Sequence, residues 1–207
     1  MHEVRRLAPE VRIETRQLEY AQIENALDSN TIDAAFGYLP GVEHSCQQRL
    51  FMERYVVLAR TDHPLLVERP TPRHLAQLDY VVVRQHTETL RLLDTMQLQG
   101  RIRLSTPHFM VIPAIVAETD LAVLLPMRIA TKFAQSGRFR FVQPRWGFAD
   151  FGVGLHWSQR AQNDPANQWL RALAIGLFGE PGSAAARPVP KPATAPRRSA
   201  SPRRPAA

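Results

Sequence analysis

Hydrophobic residues along the chain alternate between short continuous runs and stretches with helical spacing. Tyr55-Val56-Val57-Leu58-Ala59 lies between Arg54 and Arg60, and Tyr80–Val83 and Leu121–Leu125 are equally unbroken. Runs this short and this apolar read as strands covered on both faces, the habit of parallel sheets. Val11–Leu18 reads as a strand for a different reason. After Pro9, the residues Val11, Ile13 and Thr15 alternate with Arg12, Glu14 and Arg16. Ile32–Leu39 is a further short apolar run.

Helices fill the intervals. Tyr20–Leu27 carries Ile23, Ala26 and Leu27 on one side, and Thr89–Leu98 carries Leu90, Leu93 and Met96. Pro126 precedes Met127–Gln135 and Gly137 follows it, the expected order of start and stop residues. Asp164-Pro165 is a strong start signal, with Asp as cap and Pro in the first turn. The stripe Trp169, Leu170, Leu173, Leu177 then runs to Gly179. Strand and helix in alternation predict an α/β fold with right-handed crossovers.

Composition changes this picture at one place. Residues 179–207 are mainly Ala, Pro, Arg and Ser, with Val189 as their one branched aliphatic residue. Such a segment cannot bury enough apolar area to offset its ordering cost and is expected to be a disordered tail. The tail also supplies most of the formal charge of +7. It holds 6 Lys/Arg against Glu180, whereas residues 1–178 hold 20 Lys/Arg against 18 Asp/Glu. The body therefore lacks the cation cluster that phosphate-backbone binding needs; the tail's Pro-Arg-Arg units at 196–198 and 202–204 are read as solvated. A single cysteine, Cys46, excludes a disulfide framework. No apolar run reaches the ~20 residues of a membrane span, and the charged start Met-His-Glu-Val-Arg-Arg does not read as a secretory signal. The expected compartment is the cytoplasm.

Several stretches, in order, resemble one family. They are Leu27-Asp28-Ser29-Asn30-Thr31-Ile32-Asp33-Ala34-Ala35-Phe36-Gly37; His63-Pro64-Leu65 after a valine-rich strand; Val116–Pro126; and His156-Trp157 followed by Asp164–Arg171. Together they resemble the effector-binding domain of LysR-type transcriptional regulators, in the branch that senses aromatic compounds and flavonoids. The resemblance spans about residues 3–178. It implies a two-lobed, periplasmic-binding-protein-like (type II) α/β domain. Lobe I would take residues 1–59 plus 151–178 and lobe II residues 60–150, with crossovers near Leu58–Thr61 and Phe148–Phe151. It also implies that the family's winged helix-turn-helix and the opening strand and helix of lobe I are missing. His2–Leu7 would match that helix's last turn. On this reading the domain is truncated at its N-terminus, and direct sequence-specific DNA binding is not expected of this chain.

Ligands of open α/β lobes sit outside the carboxyl ends of the strands. Four such ends offer candidates. Tyr20 follows the first strand at a helix start whose amides can hold an anion. Gly37 admits close backbone approach and Tyr38 follows it; the resemblance places effector contacts near Tyr38. Arg84, His86 and Thr87 follow Tyr80–Val83, with Arg84 suited to pairing a carboxylate in bidentate fashion. Thr106, His108 and Phe109 follow the next strand, and Pro113 sets the regular helix to begin near Phe109 or Met110. A histidine beside an aromatic suits an aromatic acid, by stacking and by a hydrogen bond. His156 reads as a core histidine, and Trp146 and Phe148 as packing near the second crossover.

Catalysis finds no support in the sequence. There is no Gly-x-Ser-x-Gly elbow, no His-Glu-x-x-His pair and no phosphate loop, and Gly152-x-Gly154 lacks a third glycine. The seven histidines show no metal-ligand spacing. The expectation is a non-enzymatic sensor that binds a small aromatic or carboxylated effector in the interlobe cleft, without cofactor or metal, as a homo- or hetero-oligomer with LysR-type regulators. A free-standing solute-binding protein of the same fold is the alternative.

Overall fold

The computed structural model describes residues 2–144 and 148–180. Trp146, and the tail beyond Glu180 with its Pro-Arg-Arg units, lie outside the described residues. The chain divides into two compact units, Met1–Phe51 with Val153–Ala207, and Met52–Gly152.

The second unit contains β3 (Tyr55–Arg60), α3 (Pro72–Leu75), β4 (Asp79–Val83), α4 (Thr87–Thr95), β5 (Ile102–Thr106), α5 (Ile112–Glu118), β6 (Leu121–Pro126), α6 (Met127–Ala134) and β7 (Phe139–Val142). Its strands form one sheet in the order β5-β4-β6-β3-β7. β4 runs parallel to β5 and β6, while β3 is antiparallel to β6 and β7. The continuous apolar runs are explained by what lies on each face. Alternate residues of each strand enter two separate core layers. Val57, Ala59, Tyr80, Val82, Ala122 and Leu124 pack with Leu75, Leu78 and Leu93. Val56, Leu58, Val81, Val83, Val123 and Leu125 pack with Ile112, Val116 and Ala130. Leu58, expected at a crossover, instead pairs with Val123 and Phe141 inside this sheet. The division of the chain thus falls at 51/52 rather than near 59, because β3 finds ladder partners on both sides here.

The first unit contains α1 (His2–Leu7), α2 (Tyr20–Asp28), β1 (Ala35–Gly37), β2 (Cys46–Glu53, its last two residues past the division), β8 (Phe151–Trp157, its first two residues before the division) and α7 (Pro165–Phe178). The sheet order is β1-β8-β2, with β1 antiparallel to β8. Val4, Ala8, Trp169 and Leu173 join α1 to α7, and Ile23, Leu27, Ala35 and Val42 form the layer under α2. Two expectations fail in this unit. Val11–Leu18 forms no strand, and residues 11–17 are all exposed. Ile32–Leu39 contracts to the three residues of β1. Alternation makes a segment competent for a ladder, but no strand lies beside this one among the described residues.

The helix signals fare better. Asp164 accepts from the Asn167 amide at 2.9 Å and Pro165 opens α7. Gly137 follows α6 at φ 74°, where a Cβ would be strained. Asn30 (φ 54°) and Gln97 (φ 57°) end α2 and α4 in the same left-handed region. The Leu98 amide reaches back to the Leu93 carbonyl at 2.8 Å, a closing turn that sequence inspection did not anticipate. Gly179 leaves α7 in an extended conformation instead.

Candidate functional site

The parallel strands β4, β5 and β6 end on one edge of the second unit's sheet, and each is followed by a helix. Three residues, Arg84 to His86, separate β4 from α4. After β5, Pro107 and His108 lead into a 3-10 turn at Phe109–Val111, and α5 starts only at Ile112. Pro113 thus falls in the first turn of α5, where its missing N–H costs nothing, and the helix starts later than expected.

The two loops are held together by their own backbone. The Arg84 amide donates to the Thr106 carbonyl at 3.0 Å. The buried Thr106 hydroxyl accepts from the His108 amide at 3.1 Å. The His86 ring lies against the Phe109 ring, centroids 5.5 Å apart, and Phe109 stacks in turn on Phe133 at 6.4 Å. His86 is half-buried, and its desolvation pushes its pKa below the ordinary histidine value. Arg84, Thr87 and His108 are exposed. His86 stands at the N-cap of α4 without a side-chain capping bond, and its carbonyl accepts from the Thr89 amide at 3.1 Å and the Leu90 amide at 3.4 Å, so it is the Thr87 and Glu88 amides that the cap does not claim. A guanidinium, an uncapped helix N-terminus and an aromatic wall therefore sit on neighbouring loops. Groups of these kinds are chemically suited to a planar anion.

The start of α6, on the same edge, is organised differently by a residue that sequence reasoning missed. Buried Glu53 accepts from the amides of Arg54 (2.9 Å), Met127 (3.1 Å) and Arg128 (3.3 Å). A carboxylate of the protein itself occupies that helix end. Phe133 was missed as well; only its place on the Ala130–Phe133–Ala134 side of a helix hinted at it.

The remaining candidates lie in the first unit. Tyr20 is the exposed first residue of α2. Glu19 precedes it at the N-cap, and its amide donates to Gln22 Oε1 at 3.4 Å. A carboxylate at that cap weakens the case for α2 as an anion seat. Gly37 closes β1 opposite Gly154, and half-buried Tyr38 follows. A Cβ on Gly154 would meet His156 Nε2 at 3.3 Å and the Gln48 carbonyl at 3.4 Å, so the glycine makes room for the imidazole. His156 is buried, and its Nδ1 lies 3.0 Å from the Ser45 hydroxyl, as a core histidine should be. No group of three or more His, Cys, Asp or Glu residues with metal-binding placement occurs among the described residues.

This arrangement is an open α/β unit with several polar groups at its strand ends. The LysR substrate binding domain model matches residues 1–178, and the chain belongs to that family. It is similar to the HTH-type transcriptional activator NagR of a Ralstonia species, 31% identical over 178 residues. The match covers 84% of this chain and 59% of NagR. It is also similar to the HTH-type transcriptional activator NahR of Pseudomonas putida, 29% identical over 176 residues, covering 83% of this chain and 59% of NahR. The chain thus spans about three-fifths of the length of these relatives. Among solved structures, the regulatory domain of MexT, a transcriptional activator of Pseudomonas aeruginosa, superposes with a TM-score of 0.69 at 21% identity. That match covers 86% of this chain and 89% of the MexT domain. HinK, a LysR family regulator of the same species, gives 0.66 at 19%, covering 86% and 64% of the two chains. The fold is therefore the periplasmic-binding-protein-like α/β architecture, and the family is one of transcription regulators, not enzymes. No helix among the described residues is long and apolar enough to cross a membrane.

Proposed function

We propose that this chain is the sensing part of a LysR-type regulator and that it holds a small aromatic carboxylate at the ends of β4 and β5. The observation that carries this reading is the His86–Phe109 ring pair, flanked by Arg84 and the uncapped start of α4. Arg84 pairs the carboxylate, the Thr87 amide and hydroxyl donate to it, and Phe109 and His86 cover the ring. His108, fixed through Thr106, contributes a further donor or acceptor. Tyr20, Gly37 and Tyr38 are candidate contacts on the first unit. Binding biases an assembly with other LysR-type protomers, in the cytoplasm, and the DNA contact belongs to the DNA-binding part of that assembly. The relatives are activators of transcription, which supports regulation over a free-standing solute-binding role.

Calorimetry of the full chain with benzoate, hydroxybenzoates and cinnamate tests the reading. Benzamide and cyclohexanecarboxylate serve as controls that remove the charge or the ring. At least one aromatic acid should bind, and Arg84→Ala should weaken it about tenfold, or ~1.4 kcal/mol. Loss of the ring should cost a similar amount. Equal binding of acid and amide, or no heat from any aromatic acid on folded protein, overturns the assignment.

A further inference from the structure

The Phe109 ring is held less by its own turn than by what stands behind it. The 3-10 turn Phe109–Val111 has no side-chain capping bond, and its Met110 (87%) and Val111 (40%) are exposed. Phe109 is the residue of that turn that joins the apolar layer of Ile112, Val116 and Ala130. Behind it runs a series of rings. Phe133 of α6 faces Phe109 with the two planes 23° apart, and Phe139 of β7 lies against Phe133, centroids 5.9 Å apart. Phe139 is buried and sits opposite Arg60 in the ladder of β7 with β3, so the sheet fixes the far end of the series. Glu53 fixes α6 in turn, at its first two amides. Half-buried Phe133 thus stands between a rigid sheet and an exposed turn.

We propose that Phe133 is a positioning residue of this site: it sets the plane and depth of the Phe109 ring, and so how strongly the site prefers a flat aromatic acid to an aliphatic one. This role rests on the aromatic-carboxylate reading above and names what confers its ring preference. Neighbouring rings hold one another through offset contacts that depend on their planes. A ring at position 133 therefore dictates the pose of Phe109 in a way that a branched aliphatic side chain does not. The carboxylate end is built separately. The Arg84 amide is tied to the Thr106 carbonyl, and the Thr87 and Glu88 amides belong to the start of α4. Charge recognition therefore survives a change at Phe133 that ring recognition does not.

Two measurements on the full chain test this role. One is calorimetry with cyclohexanecarboxylate and with whichever of benzoate, the hydroxybenzoates and cinnamate binds tightest. The other is a magnetic-resonance titration of the His86 ring without ligand. Phe133→Leu should lower the preference for the aromatic acid about three- to tenfold and leave the affinity for cyclohexanecarboxylate unchanged. In the ligand-free chain the same variant lets Phe109 withdraw from His86. The imidazole then gains water, and its pKa, lowered by burial, should rise toward the ordinary histidine value. Phe133→Tyr keeps the ring and should restore both readings. Phe133→Met fills the space without a ring and should match leucine, so it decides the matter where leucine loosens the helix. An unchanged preference, an equal loss for both acids, or a His86 titration that does not move overturns the role of Phe133 alone. No aromatic acid bound by the unaltered chain overturns the aromatic-carboxylate reading, and the selectivity with it.

Discussion

The two units solve the same problem with unequal means. The second lays apolar layers on both faces of a five-stranded sheet, and Val56, Val57, Leu58 and Ala59 are each fully buried there. Among the described residues the first has three strands, one only three residues long, and an extended stretch without a ladder. Continuous apolar runs produce the former, because a strand buried on both sides needs no polar alternate. Alternation alone does not produce the latter, because a half-buried strand also needs a neighbour to bond to. The lesson is that strand pattern reports competence for pairing, and the presence of a partner decides whether a strand forms.

Hydrogen exchange separates the units most widely. Amides of Val81–Val83 and Leu121–Leu125 should exchange only through global opening of the second unit, while residues 12–17 should exchange close to the unprotected rate in a monomer. The gap should amount to several orders of magnitude. Comparable protection in both segments would show that residues 12–17 already have a ladder partner.

Core truncation comes next. Leu58→Ala in β3 removes a fully buried side chain and should destabilise the second unit by about 2–5 kcal/mol. Ile13→Ala, at an exposed position, should shift the monomer's stability by less than ~0.5 kcal/mol. Urea melts of the two variants check this, and equal losses would remove the distinction drawn between the regions.

A smaller effect is expected at Tyr80, whose buried hydroxyl donates to the Leu75 carbonyl at 3.0 Å. Burial pushes this phenol well above the ordinary tyrosine pKa. Tyr80→Phe should therefore cost about 1 kcal/mol, the worth of one such bond. Ultraviolet titration should show one tyrosine that resists ionisation after the others have ionised. Full titration of all tyrosines at the usual pH would contradict the burial.

The smallest effect is the pH dependence. His86 in the second unit and His156 in the first both have pKa values lowered by burial. For a base held neutral in the fold, the unfolded chain takes up the proton first. The stability tied to neutral imidazole is complete above the unfolded value of about 6.5 and declines as pH falls through it. His86→Gln should flatten part of that decline and His156→Gln another part. A decline that neither variant alters would assign it to carboxylates instead.

Much of the second unit is legible in the chain. Unbroken runs mark β3, β4 and β6, and Pro126, Gly137 and Asp164-Pro165 mark helix ends through backbone rules that act locally. The positions of the candidate residues are legible in the same way, since Arg84 and His86 follow β4, Thr106 ends β5 and His108 follows it, and the ends of these strands define one edge. What is illegible depends on distance in sequence. Glu53 caps a helix that begins 74 residues later, and nothing near Glu53 announces it. Leu58–Thr61 looks like a passage between lobes until Leu58 is seen paired with β6 and Leu58 to Arg60 with β7. The left-handed Asn30 and Gln97 close helices without glycine, so their turns carry weak local signals.

The central claim is that an aromatic acid binds where β4 and β5 end. Proton–nitrogen correlation spectra of the chain, recorded during titration with an aromatic acid, test it most directly. The account predicts saturable shifts at the Thr87, Glu88 and His108 amides and on the His86 ring, with the Met127 and Arg128 amides held by Glu53 moving far less. Shifts centred on α6, or a spectrum that no aromatic acid perturbs, would contradict it.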